Sequence, residues 1–270
     1  MSVLPQETER MYIGLKKEHL NFSNQIINLS KLNSTEATMC GRYSLAKNKL
    51  ELEERFQAEM LEPFQPRYNI APTQLVPVIT AESPHGFSHF YWGITPDFAK
   101  NKPVSQKFIN ARSETINEKV SFKASFQRKR CLVPADGFFE WKRVGKKTKT
   151  PYRFTLLDGG LFAMAGIWDE YETTEGDVKH TFLILTTTPN ELLTDVHDRM
   201  PVIIDKNMET AWLNDSTSEE ELLAMLKPYP DSAMLSYTVS PLVNQVGNDT
   251  PFVIRKTLPM DQFGNYTLFG

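Results

Sequence analysis

A chain of 270 residues leaves room for one large domain or two small ones. An apolar fraction of 40% with 11% aromatics excludes a disordered chain, and no apolar run approaches the roughly 20 residues of a membrane span. The net charge of −3 hides an asymmetry: Lys100 to Arg153 holds 15 Lys and Arg against 4 Asp and Glu, a local +11 that leaves −14 for the remainder. Such a stretch is either a solvated face or an electropositive surface for a polyanion.

The chain has 2 cysteines, Cys40 and Cys131. Two thiols so far apart make neither a disulfide framework nor a zinc site. Cys131, in Arg130-Cys131-Leu132-Val133-Pro134, reads as a buried small hydrophobe. No secretory signal is evident, so a reducing, soluble compartment is expected. For a bacterial source that is the cytoplasm, at the nucleoid.

Residues 1–38 differ from the rest: they are polar, rich in Asn, Ser and Glu, and carry no sustained apolar stripe. Three readings stay open for them: a disordered tail, a removable pro-segment, or sequence upstream of a start at Met39. Lys47 to Met60 predicts a helix, with Leu52 and Phe56 four apart, stopped by Pro63 and Pro66. Leu75–Thr80 and Phe87–Ile94 predict strands joined by a turn at Ser83-Pro84-His85-Gly86. Phe108 to Asn110 is short and extended, and a basic segment follows.

Five strands are predicted next: Arg130–Val133, Gly137–Lys142, Tyr152–Leu157, Leu161–Trp168 and Thr181–Thr187. Val144-Gly145-Lys146-Lys147 and Asp158-Gly159-Gly160 have hairpin-turn composition. Thr188-Pro189-Asn190-Glu191 opens a short helix. Pro201–Ile204 predicts a strand, Ser218–Leu226 a helix with Glu in its first turn, and Leu235–Val239 a late strand. Many short strands with few helices point to one α+β domain over 39–260, built on a curled, mainly antiparallel, barrel-like sheet. A short tail, 261–270, follows.

The candidate functional residues each have a bland reading. Asn69 and Asn110 suit turns or strand ends. Glu140 lies between Phe139 and Trp141, where strand alternation points it either outward or into an aromatic interior. In the interior, desolvation would raise its pKa and suit it to moving protons. His197 sits in the loop sequence Asp195-Val196-His197-Asp198-Arg199. Arg42 and Arg112 suit surface ion pairs, worth little in themselves. Trp92 and Phe98 are either core or base-stacking surfaces.

In order along the chain stand Met39-Cys40-Gly41-Arg42-Tyr43, Arg67-Tyr68-Asn69-Ile70-Ala71-Pro72-Thr73, Phe90-Tyr91-Trp92-Gly93-Ile94 and Ile109-Asn110-Ala111-Arg112-Ser113-Glu114-Thr115. Cys131 to Trp141 and His197-Asp198-Arg199-Met200-Pro201 follow. This series resembles the SRAP family, the SOS response-associated peptidases understood as abasic-site processing proteins. The resemblance runs from Met39 to about Val253. Several separated motifs in the right order are far more specific than any one of them.

The resemblance implies covalent attachment to abasic sites in single-stranded DNA through an N-terminal cysteine, here Cys40. It further implies that Asn110 positions the sugar and the amine, that Glu140 transfers protons, and that His197 acts on ring opening. Arg42 and Arg112 would hold flanking phosphates, with Asn69 and Trp92 also in the DNA-binding set. No metal or organic cofactor is implied, and the expected state is a monomer. One departure is Pro96-Asp97-Phe98, where the family often has a tryptophan pair. Another is the extension, which leaves Cys40 without a free α-amine unless translation begins at Met39 or the segment is cleaved. Two other classes remain open: a cysteine peptidase with Cys40 as nucleophile and His197 as base, and a non-catalytic single-stranded nucleic-acid binder.

Overall fold

The computed structural model describes residues 41–93, 108–145, 148–173 and 175–259. Cys40, the 1–38 extension, Phe98, the 261–270 tail and Lys146-Lys147 of the expected hairpin turn lie outside them. Thirteen strands form among the described residues. They are β1 Tyr43–Leu45, β2 Arg67–Ile70, β3 Leu75–Thr80, β4 Ser83–Trp92, β5 Asn110–Arg112, β6 Arg130–Ala135, β7 Gly137–Val144, β8 Thr148–Leu156, β9 Phe162–Glu172, β10 Val178–Thr187, β11 Met200–Pro201, β12 Ile203–Ile204 and β13 Met234–Thr238.

Five of these close on themselves. In the order β10, β4, β3, β6, β9 each strand pairs with the next, and β9 pairs back to β10. Only the β10–β4 contact in this ring is parallel. Closure leaves the ring no free edge. β5 and β11 attach to β10, and β12 to β9. A second, antiparallel sheet runs β13-β8-β7-β1-β2. The architecture is α+β on a curled, mainly antiparallel scaffold.

The apolar run Leu161–Trp168 shows why the ring strands read as nearly continuous hydrophobic sequence. Phe162, Met164 and Trp168 pack in one core cluster with Phe138 and Phe154 of the second sheet. Ala163, Ala165 and Ile167 alternate with them and pack in another cluster with Phe126, Trp212 and Leu222. A strand covered on both faces needs apolar residues at both parities.

Helix α1, Lys49–Phe56, is shorter than its predicted span because Asn48 and Glu51 form a capping box and Gln57 turns left-handed at φ 50°. The β3–β4 turn falls at Ala81-Glu82, not at Ser83–Gly86. Thr80 pairs with Ser83, and Thr80 Oγ1 accepts from the Ser83 amide. Just past Pro84, Glu59 bridges Gly86 on the side of β4 away from β3.

Helix α2, Val120–Arg128, forms where the sequence by itself shows only a basic segment. Its C-terminal carbonyls are satisfied by Arg130, which is 1% exposed. The Arg130 guanidinium donates to the carbonyls of Phe126, Gln127, Trp212 and Asn214. Arg153 is buried as well. Two cations of the basic stretch are therefore interior and unavailable to a polyanion. Helices Glu191–Thr194 (α3), Glu209–Leu213 (α4) and Glu219–Ala224 (α5) complete the set. Among the described residues no helix is long and apolar enough to cross a membrane.

Candidate functional site

β7 is the axis of the site. The sequence Ala135-Asp136-Gly137-Phe138 turns the chain from β6 into β7, and each residue there has a packing reason. Asp136 accepts from Ser44 Oγ at 2.7 Å and pairs with the Arg153 guanidinium at 3.1 Å. That guanidinium lies across Gly137, where a Cβ would stand 2.6 Å from Arg153 Nε. The Asp-Gly pair therefore locks β7 against β1 and β8.

Beyond it, Phe139 joins Val239, Val243 and Val253, while Phe138 stacks on Phe154 in the main core. Glu140 follows at the same parity as Phe138 and is 1% exposed. Of its two sequence-based orientations, the inward one is realised. Both faces of β7 are covered here, so alternation offers no solvent side.

His197 approaches Glu140 from the other side. Asn190 caps α3 by accepting from the Leu193 amide at 3.2 Å, and buried Leu193 anchors the turn. The Leu193 carbonyl then accepts from the amides of Val196 and His197. The result puts His197 Nε2 3.8 Å from Glu140 Oε2, with the His197 side chain 11% exposed. The Arg199 amide donates to Nδ1 at 3.1 Å, so the neutral ring carries its proton on Nε2, toward Glu140. Asp198 brings a carboxylate to 3.1 Å from the same Nδ1. Burial lowers the His197 pKa below its ordinary value, partly offset by Asp198.

Asn110 and Arg112 lie on β5, in parallel register with Ile184 and Thr186 of β10. The same Thr186 is opposite Pro201 of β11. One strand thus seats both the Asn110–Arg112 segment and the segment that carries His197. Arg112 is exposed, and Asn110 is half-buried.

Three of the expected DNA-binding residues have internal partners. Trp92 is fully buried, meets Tyr43 edge-on at 5.2 Å and donates from Nε1 to the Ile109 carbonyl at 2.9 Å. Its ring fixes the approach to β5 and offers no face to a base, which corrects the stacking expectation. Asn69 is also fully buried. Its Nδ2 donates to the carbonyls of Val243, Gln245 and Asn248 at 3.0–3.2 Å, and its Oδ1 accepts from Arg42. Asn69 is a staple for the 241–249 loop, which corrects its reading as a DNA contact.

Arg42 is half-buried and donates to Asn69 Oδ1, the Val243 carbonyl and the Asn244 carbonyl. It ties the start of β1 to that loop. Asp249 completes the staple, accepting from the Tyr68 and Asn69 amides and pairing with Arg67.

Arg199, Glu114 and Asp249 were not singled out from sequence. Their signal was position alone: two residues after His197, two after Arg112, and the end of the run Asn244-Gln245-Val246-Gly247-Asn248.

Residues 39–246 match the SOS response associated peptidase (SRAP) family. The abasic site processing protein YoqW of Bacillus subtilis is 41% identical over 221 residues, covering 80% of this chain and 99% of that protein. YoaM of the same organism, also named an abasic site processing protein, is 41% identical over 217 residues, covering 78% and 96%. A crystal structure of a protein from Bacteroides thetaiotaomicron superposes with a TM-score of 0.71 at 29% identity, covering 81% of this chain and all of that one. With a family match over most of its length and relatives of this identity and coverage, the chain belongs to the SOS response associated peptidase (SRAP) family.

Proposed function

We propose that this protein recognises abasic sites in single-stranded DNA and caps them with a covalent crosslink through Cys40. The observation that carries this reading is the His197–Glu140 pair, 3.8 Å apart and largely buried. The Arg42 carbonyl accepts from the Phe139 amide at 3.0 Å. Cys40 stands two positions before Arg42 in the chain. The family match begins at Met39, next to Cys40, and the relatives are named for abasic site processing.

An abasic deoxyribose interconverts between a closed hemiacetal and an open aldehyde. His197 gives the proton on Nε2 to the ring oxygen as the sugar opens, and the anomeric hydroxyl returns its proton to the imidazole as the aldehyde forms. The free α-amine of Cys40 adds to the aldehyde carbon. Glu140 carries the two amine protons in turn to the former carbonyl oxygen, water leaves, and an imine remains. The Cys40 thiolate then adds to the imine carbon, and the nitrogen takes up one proton. The product is a five-membered thiazolidine that no longer presents an aldehyde for strand elimination. Asn110 orients the sugar, and Arg112, exposed at the end of β5, meets a flanking phosphate.

The test is a denaturing gel of the protein mixed with a single-stranded oligonucleotide carrying one abasic site. A shifted band that disappears in Cys40→Ala is expected. Cleavage of a peptide substrate without a shifted band would favour a cysteine peptidase instead. Salt-sensitive binding with no covalent product would leave only a nucleic-acid binder.

A further inference from the structure

An ion pair adjoins the segment that carries His197. Glu114 stands in the 3-10 turn Ser113–Thr115 that follows β5. Its two carboxylate oxygens accept from both terminal nitrogens of Arg199, at 2.5 and 2.8 Å. Arg199 Nη2 also donates to the Thr186 carbonyl at 2.5 Å. The Arg199 side chain is 9% exposed and that of Glu114 is 44%. The charge of Arg199 is thus largely desolvated, and Glu114 is its counter-ion. The backbone of the same Arg199 supplies the amide that holds His197 Nδ1.

The geometry points to Glu114 as a positioning residue for the reaction proposed above: it fixes Arg199, and Arg199 fixes the ring of His197 against Glu140. Glu114 never meets the sugar in this account; it acts only through its neighbours.

Two further features support it. Glu114 lies four residues after Asn110 and two after Arg112, so its pairing with Arg199 joins the two segments that deliver the site's side chains. Hydrogen bonds from Arg199 hold the Glu114 carboxyl below the usual carboxylate range, so it is ionised at neutral pH. Without that carboxylate, the buried guanidinium loses the bidentate counter-ion that holds it. Leaving a buried charge without its counter-ion is strongly unfavourable, so Arg199 turns toward water. The 197–199 turn moves with it, and Nδ1 loses its donor.

The inference rests on the crosslinking reading, and a double-mutant cycle separates the two. Single-turnover crosslinking to the abasic oligonucleotide is measured for wild type, Glu114→Gln, His197→Ala and the double variant. Affinity for the undamaged strand is measured alongside. Glu114→Gln is expected to slow crosslinking about tenfold in the wild-type background and to have almost no effect when His197 is already absent, because coupled residues are non-additive. Glu114→Asp, which keeps the charge, is expected to recover most of the rate.

Equal slowing by Glu114→Gln in both backgrounds overturns the inference, since a loss of general stability does not depend on His197. Failure of Glu114→Asp to recover the rate overturns it also, as does a tenfold loss of undamaged-strand affinity that accounts for the slowing. Absence of any crosslink from wild type overturns the reading itself, and the inference with it.

Discussion

His197 and Glu140 come from segments 57 residues apart, yet Nε2 of one lies 3.8 Å from Oε2 of the other, and neither side chain is more than 11% exposed. At that distance the two are not hydrogen-bonded to each other. Contacts of this length between catalytic groups tighten when substrate arrives.

The first prediction concerns these two residues. Glu140→Gln and His197→Ala should each slow crosslink formation by about 10²–10⁴-fold, the usual range for a lost general acid or base. Undamaged single-strand affinity should persist, because neither residue contacts a phosphate in this account. Quench-flow rates paired with fluorescence anisotropy check it; wild-type rates in both variants would reduce them to structural residues.

Asn69 carries a stability prediction. Its side chain satisfies three loop carbonyls and takes a bond from Arg42, all within a buried staple. Each buried polar group left without a partner costs about 1–3 kcal/mol. Asn69→Ala should therefore lower unfolding stability by about 3 kcal/mol in urea titrations, and the 241–249 amides should lose hydrogen-exchange protection. Asn69→Ala with unchanged stability and a selective loss of DNA affinity would restore the DNA-contact reading.

pH acts through two half-buried histidines. Burial lowers the pKa of both His89 and His197 from the ordinary 6.5. Between the folded and unfolded values the unfolded chain holds protons that the folded chain lacks. Stability then rises with pH in that window and is lost as pH falls below about 6.5. Glu114, held below 4.5, contributes in a separate and more acidic window. Thermal melts between pH 5 and pH 7 should show a positive slope that is shallower in His197→Gln. An identical slope in the variant would mean that His197 is not buried as described.

Salt dependence distinguishes surface cations from interior ones. For single strands, log affinity falls with log salt with a slope of about −0.7 per neutralised phosphate. Arg112 is exposed, so Arg112→Ala should weaken binding and make the slope shallower by about 0.7. Arg130 is 1% exposed and bonded to four carbonyls. Arg130→Met should reduce stability and leave the salt slope unchanged. A change in slope for Arg130→Met in folded protein would place that side chain on the DNA.

The strands of the ring were legible because paired faces demand continuous apolar sequence, as Leu161–Trp168 shows. α2 was not, because Phe122 and Phe126 are a single apolar pair four apart in a nine-residue helix otherwise rich in Ser, Lys, Gln and Arg. β1 and β2 are three and four residues long, too short for a period to emerge. Glu140 illustrates the limit for the site. Strand alternation gives a parity but not a direction, and only the covering of both faces of β7 makes Glu140 interior. The family motifs located Asn69 and Trp92 correctly along the chain without revealing that their side chains turn inward. Arg199 and Glu114 escaped notice because an ion pair across 85 residues leaves no local pattern.

The central claim is that the crosslink needs the α-amine and the thiol of Cys40 together. An amide nitrogen is not nucleophilic, because its lone pair is delocalised into the peptide bond. A thiol adduct alone is a hemithioacetal that reverts on denaturation. The most direct measurement compares two proteins whose first residue is verified by intact mass: the 270-residue chain and a form beginning at Cys40. Each is reacted with the abasic oligonucleotide and denatured before mass analysis. The Cys40-start protein should carry the DNA with the loss of one water, and the 270-residue chain should carry none. A denaturation-resistant adduct forming equally fast on the intact 270-residue chain would contradict the account.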